Sequence, residues 1–213
     1  MNIWILTSQF PPTVIGGIAR YVENAAAMFA RAGHQVTIVA ADTREDESIL
    51  PSGARLIRFR PRGHLLEPGD QTNRTPSHPA FPYTIMSHWP ALSYEMADRV
   101  AALVRRDGVR PDVIECQEYG ALPYYLIQRR LVEDHPLRDV PVVVHLQSPD
   151  FALTRANQEP RYRFPAYWVE RMEKFCLLAA DGLLASSHFM TREIGRELPE
   201  LAGQITVIPL PYA

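Results

Sequence analysis

Two adjacent glycines, Gly16 and Gly17, stand between a short apolar run from Ile3 to Leu6 and a stretch with helical spacing. Lacking Cβ atoms, they let main-chain N–H groups close on an oxygen-rich ligand beside a helix N-terminus, which is the arrangement that receives phosphate. The other use of such a pair is to ease a tight turn, and spacing alone leaves both open. Arg20, just beyond, carries a guanidinium able to grip a phosphate in two-pronged fashion or to project into solvent. The stretch is not a dinucleotide fingerprint, since it holds neither G-x-G-x-x-G nor G-x-x-x-x-G-K-[ST]. The missing lysine argues against a nucleotide triphosphatase.

The elements that must position these residues follow from periodicity. Ile3, Trp4, Ile5 and Leu6 predict a strand buried on both faces, and Pro11-Pro12 stiffens the way out of it. Ile18, Val22, Ala25, Ala26 and Phe29 recur at helical spacing, with Gly33 as the residue just past the helix end. Val36 to Ala41 predicts a second strand, completing a βαβ unit with a right-handed crossover. Ligands of such sheets bind beyond the carboxyl ends of the strands, where Gly16 and Gly17 fall.

Farther along, Asp42 to Gly53 reads as a polar surface connection and Arg55 to Phe59 as a third strand closed by Pro61. Arg60 to Tyr83 is rich in proline and polar residues, and is either a plain insertion or a substrate lid. A helix through Leu92, Met96, Val100, Leu103 and Val104 ends near Gly108. Strands at 111–116 and 141–146 are each followed by a polar loop, Gln117 to Gly120 and Gln147 to Asp150. A helix is expected over 121–133 and another over 165–180, then a strand at 183–185. Ser186-Ser187 caps a helix toward Leu198, and the last strand spans 204–208. Strands alternating with helices give a single α/β domain, a parallel sheet with helices on both faces.

Composition narrows the class. With 213 residues, 46% of them hydrophobic, the chain can bury a full core. A formal charge of −2 and scattered arginines do not describe a nucleic-acid binder. Cys116 and Cys176 both sit in apolar stretches and read as buried thiols, neither a zinc set nor a disulfide framework. No apolar stretch is long enough to span a membrane, so a reduced, cytoplasmic compartment is the default, with peripheral membrane contact left open.

The sequence resembles the N-terminal half of the family 4 retaining glycosyltransferases, which have the two-domain GT-B fold. The residues that carry the likeness are Pro11-Pro12, Gly16-Gly17, Gly33-His34 with Val36, Pro111 to Ile114, and Pro141 to Val144. Glu170 followed by Ala180 to Ser186, and finally Val207-Ile208-Pro209, continue it over nearly the whole chain. The resemblance implies a Rossmann-like domain over residues 1–208, with 209–213 as the start of an interdomain linker. It further implies sugar transfer from a nucleotide-sugar donor to an unknown acceptor, with retention and with no cofactor and no metal. This chain would be the acceptor-side half, and the isolated domain would be inactive without a C-terminal partner domain.

The same resemblance assigns roles. Gly16 and Gly17 would face donor or acceptor phosphate, with Arg20 beside them by position, and Glu118, placed with Gln147 at the catalytic site, would be a cleft-facing acid that orients an acceptor hydroxyl. Ser148 and Asp150, by their place on the same cleft-facing loop and not by the resemblance, are expected to bind acceptor hydroxyls. Gln147 stands where the family commonly has a histidine; it can exchange hydrogen bonds with a sugar hydroxyl but cannot shuttle a proton near neutral pH. The chain's own histidine, His145, lies two residues earlier and is expected to pack within the strand. Two other classes remain: a nucleotide-sugar epimerase or other nucleotide-binding enzyme, for which Asp42 would be the ribose acid, and a non-catalytic carbohydrate-binding or regulatory domain.

Overall fold

The computed structural model describes residues 1–61, 81, 87–132, 134–160 and 162–211. The 60–83 segment, with its choice between insertion and lid, lies almost wholly outside the described residues. Among those residues, eight strands form one sheet. They are β1 (Asn2–Thr7), β2 (Gln35–Ala41), β3 (Asp46–Ile49), β4 (Arg55–Phe59), β5 (Val113–Gln117), β6 (Val142–Leu146), β7 (Gly182–Ala185) and β8 (Ile205–Val207), in spatial order β3-β4-β2-β1-β5-β6-β7-β8. All neighbours are parallel except β3 and β4.

The central strands are β-branched and apolar because both of their faces are covered. Ile3 and Ile5 point to the face packed by α1 (Gly17–Arg31), where Ile18, Val22, Ala25 and Ala26 join Ile38 and Leu56. Trp4 and Leu6 point to the opposite face and a larger core. That core includes residues of α2 (His88–Asp107), α3 (Tyr124–Val132), α5 (Ala166–Ala179) and α6 (His188–Glu197). Each fully buried side chain such as Ile5 or Leu56 contributes about 1.5–3 kcal/mol. Helix ends follow local chemistry. Gly33 turns left-handed past α1 at φ 84°, and its N–H donates to the Ala30 carbonyl. Ser87 caps α2 by accepting from the Trp89 amide, and Ser187 caps α6 by accepting from the Met190 amide.

Two elements depart from the sequence reading. The polar connection after β2 contains β3, an antiparallel edge strand. Its residues are polar because the strand is largely exposed, and it is held by ions: Asp46 to Arg58, and Glu47 to Arg55 and Arg106. Charged side chains on such an edge also discourage pairing with a second chain. The other is a short helix, α4 (Asp150–Ala156), which begins directly after Pro149.

Candidate functional site

The carboxyl ends of β1, β5 and β6 carry the loops that hold the sequence-derived candidates. On the first, Gly16 is the N-cap of α1 and Gly17 its first residue, with no side chain capping the helix and no acid in its first turn. The amide hydrogens of that turn therefore have no intrahelical acceptor, and the positive end of the helix dipole is not neutralised from within. Neither glycine adopts a positive φ, so the turn itself does not demand glycine. A Cβ on Gly16 would meet Gln9 Oε1 at 3.3 Å, whereas one on Gly17 would meet nothing within 4 Å among the described residues. What the Gly17 hydrogen preserves is open space over the helix end.

The glycine turn is anchored from two other strands. Asp42, buried at the end of β2, accepts the Thr13 hydroxyl at 2.7 Å. Arg58 of β4 sits 3.1 Å from Asp42 Oδ2 as an ion pair, donates to the Pro11 carbonyl at 3.1 Å, and lies over the Phe10 ring. Burial pushes the Asp42 carboxyl up, but the bonds from Thr13, the Arg44 amide and Thr43, with the Arg44 charge, outweigh it and hold the pKa below the usual value. Asp42 is thus occupied with architecture, which removes the ribose acid that a nicotinamide reading needs. Arg20 is exposed, 69% by side chain, and donates to Glu23 at 3.0 Å.

At the other two loops the placement differs from the sequence expectation for Glu118. Its side chain is fully buried. It accepts the Gln147 amide with both oxygens at 2.9 Å and the Ser148 amide with Oε1 at 2.6 Å. An acid so enclosed cannot face the cleft as a free loop residue; it holds the β6 loop in shape. The Ser148 hydroxyl donates to the Gln147 carbonyl at 2.7 Å, while the Gln147 side-chain amide nitrogen is buried and has no partner among the described residues. Asp150 is half-buried and opens α4. His145 is buried, its ring edge-on to Tyr21 with centroids 4.3 Å apart and Nδ1 3.7 Å from Glu115. The Tyr21 hydroxyl donates to that same Glu115, so the histidine belongs to a packed polar cluster beneath α1.

A profile of the glycosyl transferase 4-like domain matches residues 16–211, nearly the entire chain. The chain belongs to this family. Its fold is one Rossmann-like half of the GT-B architecture. It is similar to the catalytic domain of starch synthase IV from Arabidopsis thaliana, bound to ADP and acarbose, at 12% identity and a TM-score of 0.57, covering 98% of this chain and 51% of that one. Arabidopsis thaliana UGT89C1 in complex with UDP matches at 15% identity and TM-score 0.57, covering 100% and 49%. The chain thus spans about half the length of these solved structures. A comparison with curated proteins finds no match. Among the described residues, no helix is long and apolar enough to cross a membrane.

Within this glycosyl transferase 4-like domain, one residue that ties the loops together went unread in the sequence. Glu173 of α5 is fully buried, with Oε1 accepting the Gly120 amide at 3.1 Å and Oε2 the Asp150 amide at 2.7 Å. Glu118 and Glu173 together fasten the β5 and β6 loops to each other and to α5. The available signal was an acid in the apolar stripe of a helix, between Val169 and Cys176, where a solvated residue does not belong.

Burial pushes the Glu118 carboxyl up to about 7, against the downward pull of its bonds from Gln147 and Ser148. Glu173 is raised too, by burial first and then by the Glu118 and Asp150 charges. For a carboxyl raised in the fold, the folded protein keeps a proton that the unfolded chain releases. Its stabilising contribution is therefore full below the unfolded pKa near 4.5 and declines as pH climbs to about 7. Glu118→Gln is expected to flatten this decline by up to roughly 3 kcal/mol, the equivalent of the shift. Thermal midpoints of both proteins between pH 4.5 and 7 check it, and parallel curves would refute it. Asp107 does not blur that window: its pKa is lowered to about 2 by Arg106 and Arg55, so its contribution is lost only in stronger acid.

Proposed function

We propose that this domain is the acceptor-side half of a retaining, nucleotide-sugar-dependent glycosyltransferase. The observation that carries the reading is the uncapped start of α1, with open space over Gly17, on the same sheet edge as the unpartnered Gln147 amide. The first offers amide hydrogens to a phosphate and the second a donor to a hydroxyl. Residues 1–208 form the domain, and the residues after Ile208 lead toward the half that holds the sugar nucleotide. The similar starch synthase, bound to ADP, and UGT89C1, bound to UDP, support a nucleoside diphosphate as the leaving group.

In this reading the Gly16-Gly17 turn meets phosphate by its backbone, and Arg20 adds charge after release from Glu23. Gln147 directs an acceptor hydroxyl, with Ser148 and Asp150 beside it. Glu118 acts through Gln147 as a positioning residue, since its own oxygens are taken by amides. No side chain here is assigned as nucleophile; transfer depends on holding acceptor and phosphate in register.

The test is to supply the full-length protein with UDP-, ADP- and GDP-sugars and a panel of acceptors, and to read the anomeric configuration of the product by NMR. Retained configuration is expected; an inverted product, or none with any donor, overturns the reading. Gln147→Ala is expected to weaken acceptor use by about 1–3 kcal/mol in kcat/KM, the worth of a buried hydrogen bond, with little change in donor hydrolysis. Equal loss in both reactions would place Gln147 on the donor instead.

A further inference from the structure

Between α4 and α5 lies a cavity of about 310 Å³, within the range of small-molecule sites. It is lined by Phe151, Thr154, Arg155, Glu159, Glu170 and Glu197 among others. Most of its charges are already matched. Arg155 is paired with Glu193, Glu159 with Arg163 at 3.1 Å, and Glu197 with Lys174. Glu170 differs. It is 5% exposed, its Oε1 has no hydrogen-bond partner, and among the described residues no basic group pairs with it. Lys174, one turn farther along α5, turns to Glu197 instead.

A buried carboxylate oxygen with nothing to accept from is costly unless a donor reaches it, and a cation repays it best. Phe151 supplies an apolar wall, and the Thr154 and Gln158 side chains add polar edges. That combination suits a small ring carrying hydroxyls and one ammonium group. We propose that this cavity is a binding site for an amino group on a small polyhydroxylated ring, received by Glu170. The idea rests on the reading of this domain as the acceptor side, and it gives that acceptor a chemical class. The cavity adjoins the cleft loop: Phe151 follows Asp150, and Glu173, one turn from Glu170, holds the Asp150 amide.

The experiment is calorimetric titration of the purified protein with glucosamine and, in parallel, with glucose, below the pKa of the amine. Saturable glucosamine binding is expected, at least about tenfold weaker for glucose and for Glu170→Gln, because each removes one side of a charge-assisted bond. Thr154→Leu, which fills the cavity without touching the acid, is expected to abolish it, with thermal midpoints confirming that both variants are folded. No saturable binding, equal binding of the two sugars, or an unaffected folded Glu170→Gln protein would each overturn the proposal. Failure of sugar transfer by the unsubstituted full-length protein, with intact glucosamine binding, would count against the proposed function and not against this site.

Discussion

Replacing Gly120 by alanine is expected to destabilise the protein by about 3–5 kcal/mol, the sum of a strained left-handed residue and an overpacked contact. Gly120 has φ 65°, and a Cβ built on it falls 2.6 Å from Trp89 Cδ2 and 2.8 Å from Cζ3, with Cε3 closer still. The indole cannot swing aside cheaply, since it stacks edge-on to Tyr119 at 5.0 Å and packs against the larger core. Gly108, the C-cap of α2, supplies an internal control. Its φ is also 65°, but a Cβ there meets nothing within 4 Å among the described residues. Gly108→Ala should therefore cost only the backbone component, about 1 kcal/mol. Denaturant midpoints of the two variants measure the difference. Similar losses for both would show that the Trp89 contact carries no weight.

Gly17→Val is expected to lower kcat/KM for sugar transfer in the full-length enzyme by roughly 100-fold, equal to about 2.7 kcal/mol of lost transition-state stabilisation. The structure separates this from a folding defect. Gly17 has helical geometry without positive φ, and valine there meets no atom of the described residues within 4 Å of its Cβ. Helix propensity favours valine slightly over glycine, so the thermal midpoint should hold or rise a little. Bulk at that point obstructs only something that approaches the start of α1 from outside. Unchanged kinetics in a folded Gly17→Val protein would remove phosphate from the glycine turn and with it the central support for the proposed function.

The apolar periodicities made most of this fold legible. Ile3 to Leu6, Val36 to Ala41 and Val142 to Leu146 read as buried strands because a parallel sheet covers both of their faces, and the stripe from Ile18 to Phe29 could only be a helix. β3 escaped because the signal for a strand is buried alternation, and Asp46, Glu47 and Ser48 belong to an edge stabilised by ion pairs instead. The site was less legible than the fold. Glycines and loop residues could be named from their position after strands. The partners of Glu118 could not, because they are backbone amides 29 and 30 residues away. Glu173 was hidden more deeply: its role exists only once the β5-to-β6 crossover has brought Gly120 and Asp150 to the same helix face.

The fastening of the glycine turn bears on attempts to move it between proteins. Thr13 leans on Asp42 and the Pro11 carbonyl on Arg58, so the turn is braced by the tips of β2 and β4 as well as by its own helix. A graft of residues 8–17 into another scaffold would leave the hydroxyl and the carbonyl without their counterparts, and the loop would relax to some other shape. The smallest transferable cassette runs from β1 through β4. Chimeras that cut inside that span are expected to inherit the glycines but not the geometry that makes them useful.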